Sequence, residues 1–179
     1  LPFLEIKSLL KSKIHEERLI ALLILVHCFE KGKDADKDKV YNYYLKNTKY
    51  INNWDLVDLS AAKIAGQYLM DKSKNILFKL ARSENIWEKR ISIVATYAFI
   101  KDGRCLETLK IAEMLLKDEH DLIHKAVGWM LREVGKNCSK EILEEFLKSH
   151  YKQMPRTALR YAIEKFPKIT QRKYLQNNI

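Results

Sequence analysis

The sequence predicts an all-α chain, on three observations. Apolar residues recur at helical spacing, as in Ile86, Ile91, Val94, Tyr97 and Ala98 or Leu122, Ala126, Trp129, Met130 and Val134. Strand- and turn-forming punctuation is scarce, with 5 glycines and 3 prolines in 179 residues. The links between periodic stretches are brief, and helix pairs open at about residues 37, 73, 105 and 139, a recurrence of roughly 32 to 36. Antiparallel pairs repeating at that interval stack into a helical-repeat α-solenoid with a concave face rather than closing into a bundle.

Taken in order, the helices are expected at about residues 3–11, 15–31, 37–47, 54–66, 73–82, 86–101, 105–117, 121–136, 139–149, 155–165 and 170–177. The longest apolar run, Leu19 to His27, is too short to span a membrane and lacks a signal-peptide cleavage pattern, so it reads as a buried helix segment. Asp71, Asp121 and Ser139 suit N-caps, Gly32, Gly103 and Gly135 suit helix stops, and Pro155 and Pro167 suit first-turn positions. Gly128 falls inside a helix, where it costs up to about 1 kcal/mol relative to alanine. It therefore needs a packing reason, the close approach of a neighbouring helix or of a ligand backbone. No low-complexity or linker segment divides the chain, and residues 1–179 are expected to form a single domain.

Charge narrows the partner. The formal net charge is +10, which favours a polyanion such as nucleic acid over an acidic protein or a neutral metabolite. From Asp121 to Ile179 there are 12 Lys or Arg against 6 Asp or Glu, so this third supplies more than half of the excess. The plainer account is a basic surface that keeps the protein soluble. Cys28, Cys105 and Cys138 are odd in number and widely separated, which suggests neither a disulfide framework nor a metal site and fits an intracellular protein.

Three stretches could carry chemistry. In Asn53-Trp54-Asp55-Leu56-Val57-Asp58, Trp54 and Asp58 are four apart and project from one helix face, setting an aromatic plane beside a carboxylate. The bland alternative is that Asn53 caps the helix, Asp55 favours its N-terminal dipole and Trp54 packs. Trp87-Glu88-Lys89-Arg90 opens the next apolar helix. In Lys125-Ala126-Val127-Gly128-Trp129-Met130-Leu131-Arg132-Glu133, the side chains of Lys125, Trp129 and Arg132 form one stripe, although Trp129 could equally be plain core. Further on, Arg156 and Arg160 share a helix face that suits phosphates or simply solvent.

In this order and spacing, on a basic helical chain, these stretches resemble the AlkD-like family of alkylpurine DNA glycosylases, DNA alkylation repair enzymes built from HEAT-like helical pairs. The resemblance covers nearly the whole chain. Its most specific parts are Trp54 to Asp58, Trp87 to Arg90 and Lys125 to Glu133. It implies that Asp58 is the catalytic carboxylate, that Trp54 and Trp129 wall the sugar of the damaged nucleotide, and that Arg90 holds the phosphate near the lesion. Lys125, Arg132, Arg156, Lys89 and Arg160 would bind DNA, and Asp55 faces elsewhere. The sequence starts at Leu1 where the family has further helices, one bearing an aromatic residue near the lesion, so the chain is expected to lack N-terminal helices of a full-length protein.

The activity so implied is hydrolysis of the N-glycosidic bond of cationic alkylated purines, 3-methyladenine and 7-methylguanine, in double-stranded DNA during base excision repair. A cationic purine leaves as a neutral base, so little acid catalysis is needed, and positive charge develops instead on the deoxyribose. A carboxylate can stabilise that charge or position the attacking water, and tryptophan faces add a cation–π contribution. No metal or organic cofactor is required. The sequence offers no wedge loop for base extrusion, so selectivity by leaving-group lability is expected. A monomer in a prokaryotic cytoplasm or nucleoid, with no membrane association, completes the expectation. The competing readings are a non-catalytic helical-repeat module that binds nucleic acid or protein and a basic scaffold for acidic proteins.

Overall fold

The computed structural model describes residues 3–178, which contain helices and turns and no strand. The helices are α1 Phe3–Leu10, α2 His15–Lys31, α3 Asp34–Lys46, α4 Trp54–Ala61, α5 Asn75–Ala81 and α6 Ile86–Ala95. They continue with α7 Tyr97–Lys101, α8 Leu106–Leu115, α9 Asp121–Asn137, α10 Lys140–His150, α11 Arg156–Ala162 and α12 Lys168–Leu175. Each of α2, α4, α6, α9 and α11 packs on the next, forming the inner row of a helical-repeat solenoid. Across this row α3, α5, α8 and α10 form the outer layer: α3 packs on α2 and on residues 62–66 after α4, α5 on α6, and α8 and α10 both on α9. These outer helices open at Asp34, Asn75, Leu106 and Lys140. The first interval is longer than the others because a 3-10 turn, Thr48–Tyr50, and a turn after Gly66 are inserted.

A continuous apolar core runs between the two rows, with Tyr44, Leu56, Ile64, Leu77, Ile91, Ile93 and Met130 among its fully buried side chains. The apolar run of α2 is only partly buried: Leu22 and Leu25 enter the core, whereas Ile20 and Leu23 are 49% and 43% exposed. Tyr44 ties α3 to α4 through its hydroxyl, 3.0 Å from Ser60 Oγ, and Ser60 donates to the Leu56 carbonyl. Burial pushes the Tyr44 hydroxyl far up, and the nearby Asp58 charge adds to this, so it remains a donor.

The helix expected over 54–66 is α4 followed by a π-helical turn, Ala62–Gly66. Such turns widen the helix locally and are common beside functional sites. Gly66 lets this turn approach α6 and α7 closely, because a Cβ there would overlap the Ala95 carbonyl and the Ala98 side chain. The helix expected over 86–101 divides at Thr96, whose hydroxyl bonds the Ile93 carbonyl at 2.6 Å and competes with the backbone ladder.

Helix ends follow local chemistry, with corrections. Ser139 caps α10 by accepting from the backbone N–H groups of Glu141 and Ile142. The cap of α9 is His120 rather than Asp121, its Nδ1 accepting from Leu122 N at 3.2 Å. Asp71 caps nothing; it lies in the turn before α5 and accepts from Arg104 at 2.9 Å. Gly103 ends α7 at φ +75°, and Gly32 follows α2, but Gly135 lies inside α9, where any Cβ would strike Leu143 of α10. Pro155 and Pro167 stand one residue ahead of the first turns of α11 and α12. Gly128 has a neighbouring helix as its reason, since a Cβ would overlap the Ala158 carbonyl and Tyr161 Cβ of α11.

Among the described residues no helix is long and apolar enough to cross a membrane, the three cysteines are free, and no group of His, Cys, Asp or Glu is placed to hold a metal.

Candidate active site

The inner row presents a cleft of about 340 Å³ between α4, α6, α9 and α11. The structure brings Trp54, Asp58, Arg90 and Trp129 to its walls, together with Lys125 and Arg132. Local rules place each of them. Asn53 accepts from Trp54 N at 2.7 Å and starts α4 there, which sets Asp58 one turn along the same face. Asn85 caps α6 through Trp87 N at 2.9 Å, and Arg90 follows one turn into that helix. Trp129 comes halfway along α9, half-buried, its ring 6.0 Å from that of Tyr97.

At the centre, Arg90 holds Asp58 in a fork. Nε donates to one carboxylate oxygen at 2.8 Å and a terminal nitrogen to the other at 2.7 Å. The remaining terminal nitrogen donates to the Leu122 carbonyl at 2.6 Å. One guanidinium therefore joins α4, α6 and the first turn of α9, and it fixes the carboxylate relative to both tryptophans. The Arg90 side chain is 6% exposed and that of Asp58 17%, so the arginine lies beneath the pair and the carboxylate keeps an edge toward the cleft. This differs from the phosphate-holding role expected of Arg90, whose donors face a carboxylate and a backbone carbonyl.

The other basic residues divide. Lys125 pairs with Asp121 at 2.7 Å, and that hydrogen bond and charge hold its ammonium above the usual lysine range. Arg132 is bound by Glu133 at 3.3 Å and by Glu164. Lys89, Arg156 and Arg160 do not line the cleft. Lys89 is paired with Asp118 at 2.7 Å, Arg156 donates to the Leu175 carbonyl, and Arg160 is exposed on α11. Asp55 faces away from the cleft, as its sequence position implies, and meets His15 Nε2 at 2.7 Å.

Two lining residues escape the sequence reading. Leu122 supplies a carbonyl, for which side-chain identity gives no signal, and Tyr161 closes the cleft from α11. Gly128 is the trace of Tyr161 in the sequence, because a glycine in α9 announces a close neighbour without saying which one. Beyond Asp58 and Trp129, which it shares, lies a second cleft of about 550 Å³ on the α2, α3 and α7 side.

The family described as DNA alkylation repair enzyme matches residues 2–166. A solved structure titled as a predicted DNA alkylation repair enzyme from Enterococcus faecalis is similar with a TM-score of 0.71 and 19% identity, over 93% of this chain and 76% of that one. At that identity the likeness is one of fold. No curated protein matches the chain.

Proposed function

The chain belongs to the family of DNA alkylation repair enzymes, and from that premise we propose that it is a DNA glycosylase. Its substrates are cationic alkylated purines, 3-methyladenine and 7-methylguanine, in double-stranded DNA, and it hydrolyses their N-glycosidic bond in base excision repair. The observation that carries this reading is the Asp58 carboxylate, held by the Arg90 fork in a cleft walled by Trp54 and Trp129.

The chemistry follows from where the charge goes. Breaking the bond from C1′ to the purine nitrogen returns the electron pair to the base, which departs neutral, and leaves an oxocarbenium-like sugar. Asp58 lies nearer the cleft than Arg90, so its negative charge dominates the field at a sugar seated there. The indole of Trp54, 54% exposed, presents a face to the same cation. Water adds at C1′ and loses its proton to give the abasic site. Lys125 and Arg132 flank the cleft as phosphate contacts, exchanging their carboxylate partners for phosphate. The chain works as a single-domain monomer in a prokaryotic cytoplasm, without cofactor.

A purely binding module would gain affinity from a free Arg90, whereas here its three donors engage Asp58 and the Leu122 carbonyl. The test is mass-spectrometric detection of bases freed from duplex DNA treated with a methylating agent. Free 7-methylguanine is expected, with the neutral adduct O6-methylguanine retained. Duplex that is bound while every base is retained would establish the binding module instead.

A further inference from the structure

The second cleft differs from the first in how its charge is balanced. Around the first, each cation has a carboxylate: Arg90 has Asp58, Lys125 has Asp121, and Arg132 has Glu133 and Glu164. Lys37 on α3, Lys63 in the π turn and Lys101 at the end of α7 line the second cleft, and none of them lies within ion-pair distance of a described carboxylate. The acids there are Glu30 on the rim and Asp58, whose charge Arg90 already meets, so positive charge is in surplus. Lys37 and Lys101 rest over the rings of Phe29 and Tyr97, 5.9 and 5.5 Å from their centroids, while Lys63 and Lys101 are exposed to solvent.

We infer that Lys37, Lys63 and Lys101 form the principal phosphate-binding flank of the protein and grip the DNA backbone on the side of the reacting sugar away from Lys125 and Arg132. This rests on the glycosylase reading and divides its labour between two clefts. A cation already neutralised by a carboxylate gives up that partner when it takes a phosphate, so its net gain is small. An unpartnered lysine releases a DNA counterion at no such cost, and the salt dependence of binding therefore resides in these three residues. The ring faces of Phe29 and Tyr97 beneath two of the ammonium groups present apolar surface to the sugars between phosphates.

The test compares two variants of equal net charge. One carries Lys37→Gln, Lys63→Gln and Lys101→Gln. The other carries Lys79→Gln, Lys110→Gln and Lys148→Gln on the outer helices α5, α8 and α10, where all three are exposed. Affinity for an unmodified duplex is measured across a salt series. The groove variant is expected to lose at least about tenfold in affinity at low salt and to give a log–log slope shallower by about 2 to 3, near 0.9 per contact. The outer variant is expected to keep the wild-type slope. Should the triple variant melt early, Lys63→Glu and Lys101→Glu, single changes at exposed positions, must each weaken binding. A groove variant with the slope of its outer counterpart overturns this inference alone. A wild-type protein without duplex affinity overturns it together with the glycosylase reading.

Discussion

An Asp58→Asn protein is expected to release 7-methylguanine at least about 10²-fold more slowly than wild type under single-turnover conditions. Electrostatic stabilisers of developing charge are typically worth a few kcal/mol, and the change removes the charge while keeping the shape. The structure adds a cost in stability. Asp58 accepts from two nitrogens of a buried guanidinium, and asparagine offers one acceptor oxygen and an NH2 that opposes the other donor. Leaving Arg90 partly unpaired costs up to about 3 kcal/mol, at the low end for a broken buried pair because Asp58 keeps a solvent edge. Duplex affinity moves the other way, unchanged or slightly higher, since an anion leaves a phosphate-facing cleft. Melting temperature, affinity and excision measured on one preparation separate these effects. If Asp58 served only to order α4, binding and excision would fall together and recover together below the melting temperature.

Arg90→Lys has the second largest expected effect, a loss of about tenfold or more in excision with duplex affinity and its salt slope nearly unchanged. Lysine carries a single ammonium and cannot reproduce a planar fork that reaches two carboxylate oxygens and the Leu122 carbonyl together. Asp58 then loses its fixed position between the tryptophans, and melting drops by several degrees, as a loss of about 2 kcal/mol implies. The outcome decides between two placements of Arg90. If it gripped a phosphate directly, the slope would fall by about one and affinity would drop with it.

The helices and the repeat are legible in the sequence because burial of one face imposes the 3.6-residue period, which survives wherever helices pack in rows. Trp54 and Asp58, and the stripe of Lys125, Trp129 and Arg132, are legible for the same reason: spacing along a helix fixes a common face. What spacing does not fix is the partner across helices. Arg90 is 32 residues from both Asp58 and Leu122, and only tertiary packing decides that its guanidinium turns to a carboxylate rather than to solvent. Lys89, its neighbour in sequence, is drawn off to Asp118 for the same kind of reason. Helix ends are less legible. Caps depend on one hydrogen bond, and a histidine ring at position 120 competes successfully with the adjacent Asp121. Lys37, Lys63 and Lys101 belong to no motif, and the role proposed for them comes from their having no described carboxylate within ion-pair distance, which a linear sequence does not display.

The role proposed for Asp58 is to stabilise a cationic sugar. The most direct measurement compares duplexes carrying, at one position, either a protonated pyrrolidine in place of the deoxyribose ring or a neutral tetrahydrofuran of the same shape. Wild-type protein is expected to prefer the cationic ring by about 10²-fold or more, the range in which analogues of a transition state begin to exceed substrates. Asp58→Asn should lose most of that preference while binding the neutral duplex as before. Equal affinity of the wild type for the two duplexes, or a preference that survives the substitution, would contradict the role assigned to the carboxylate.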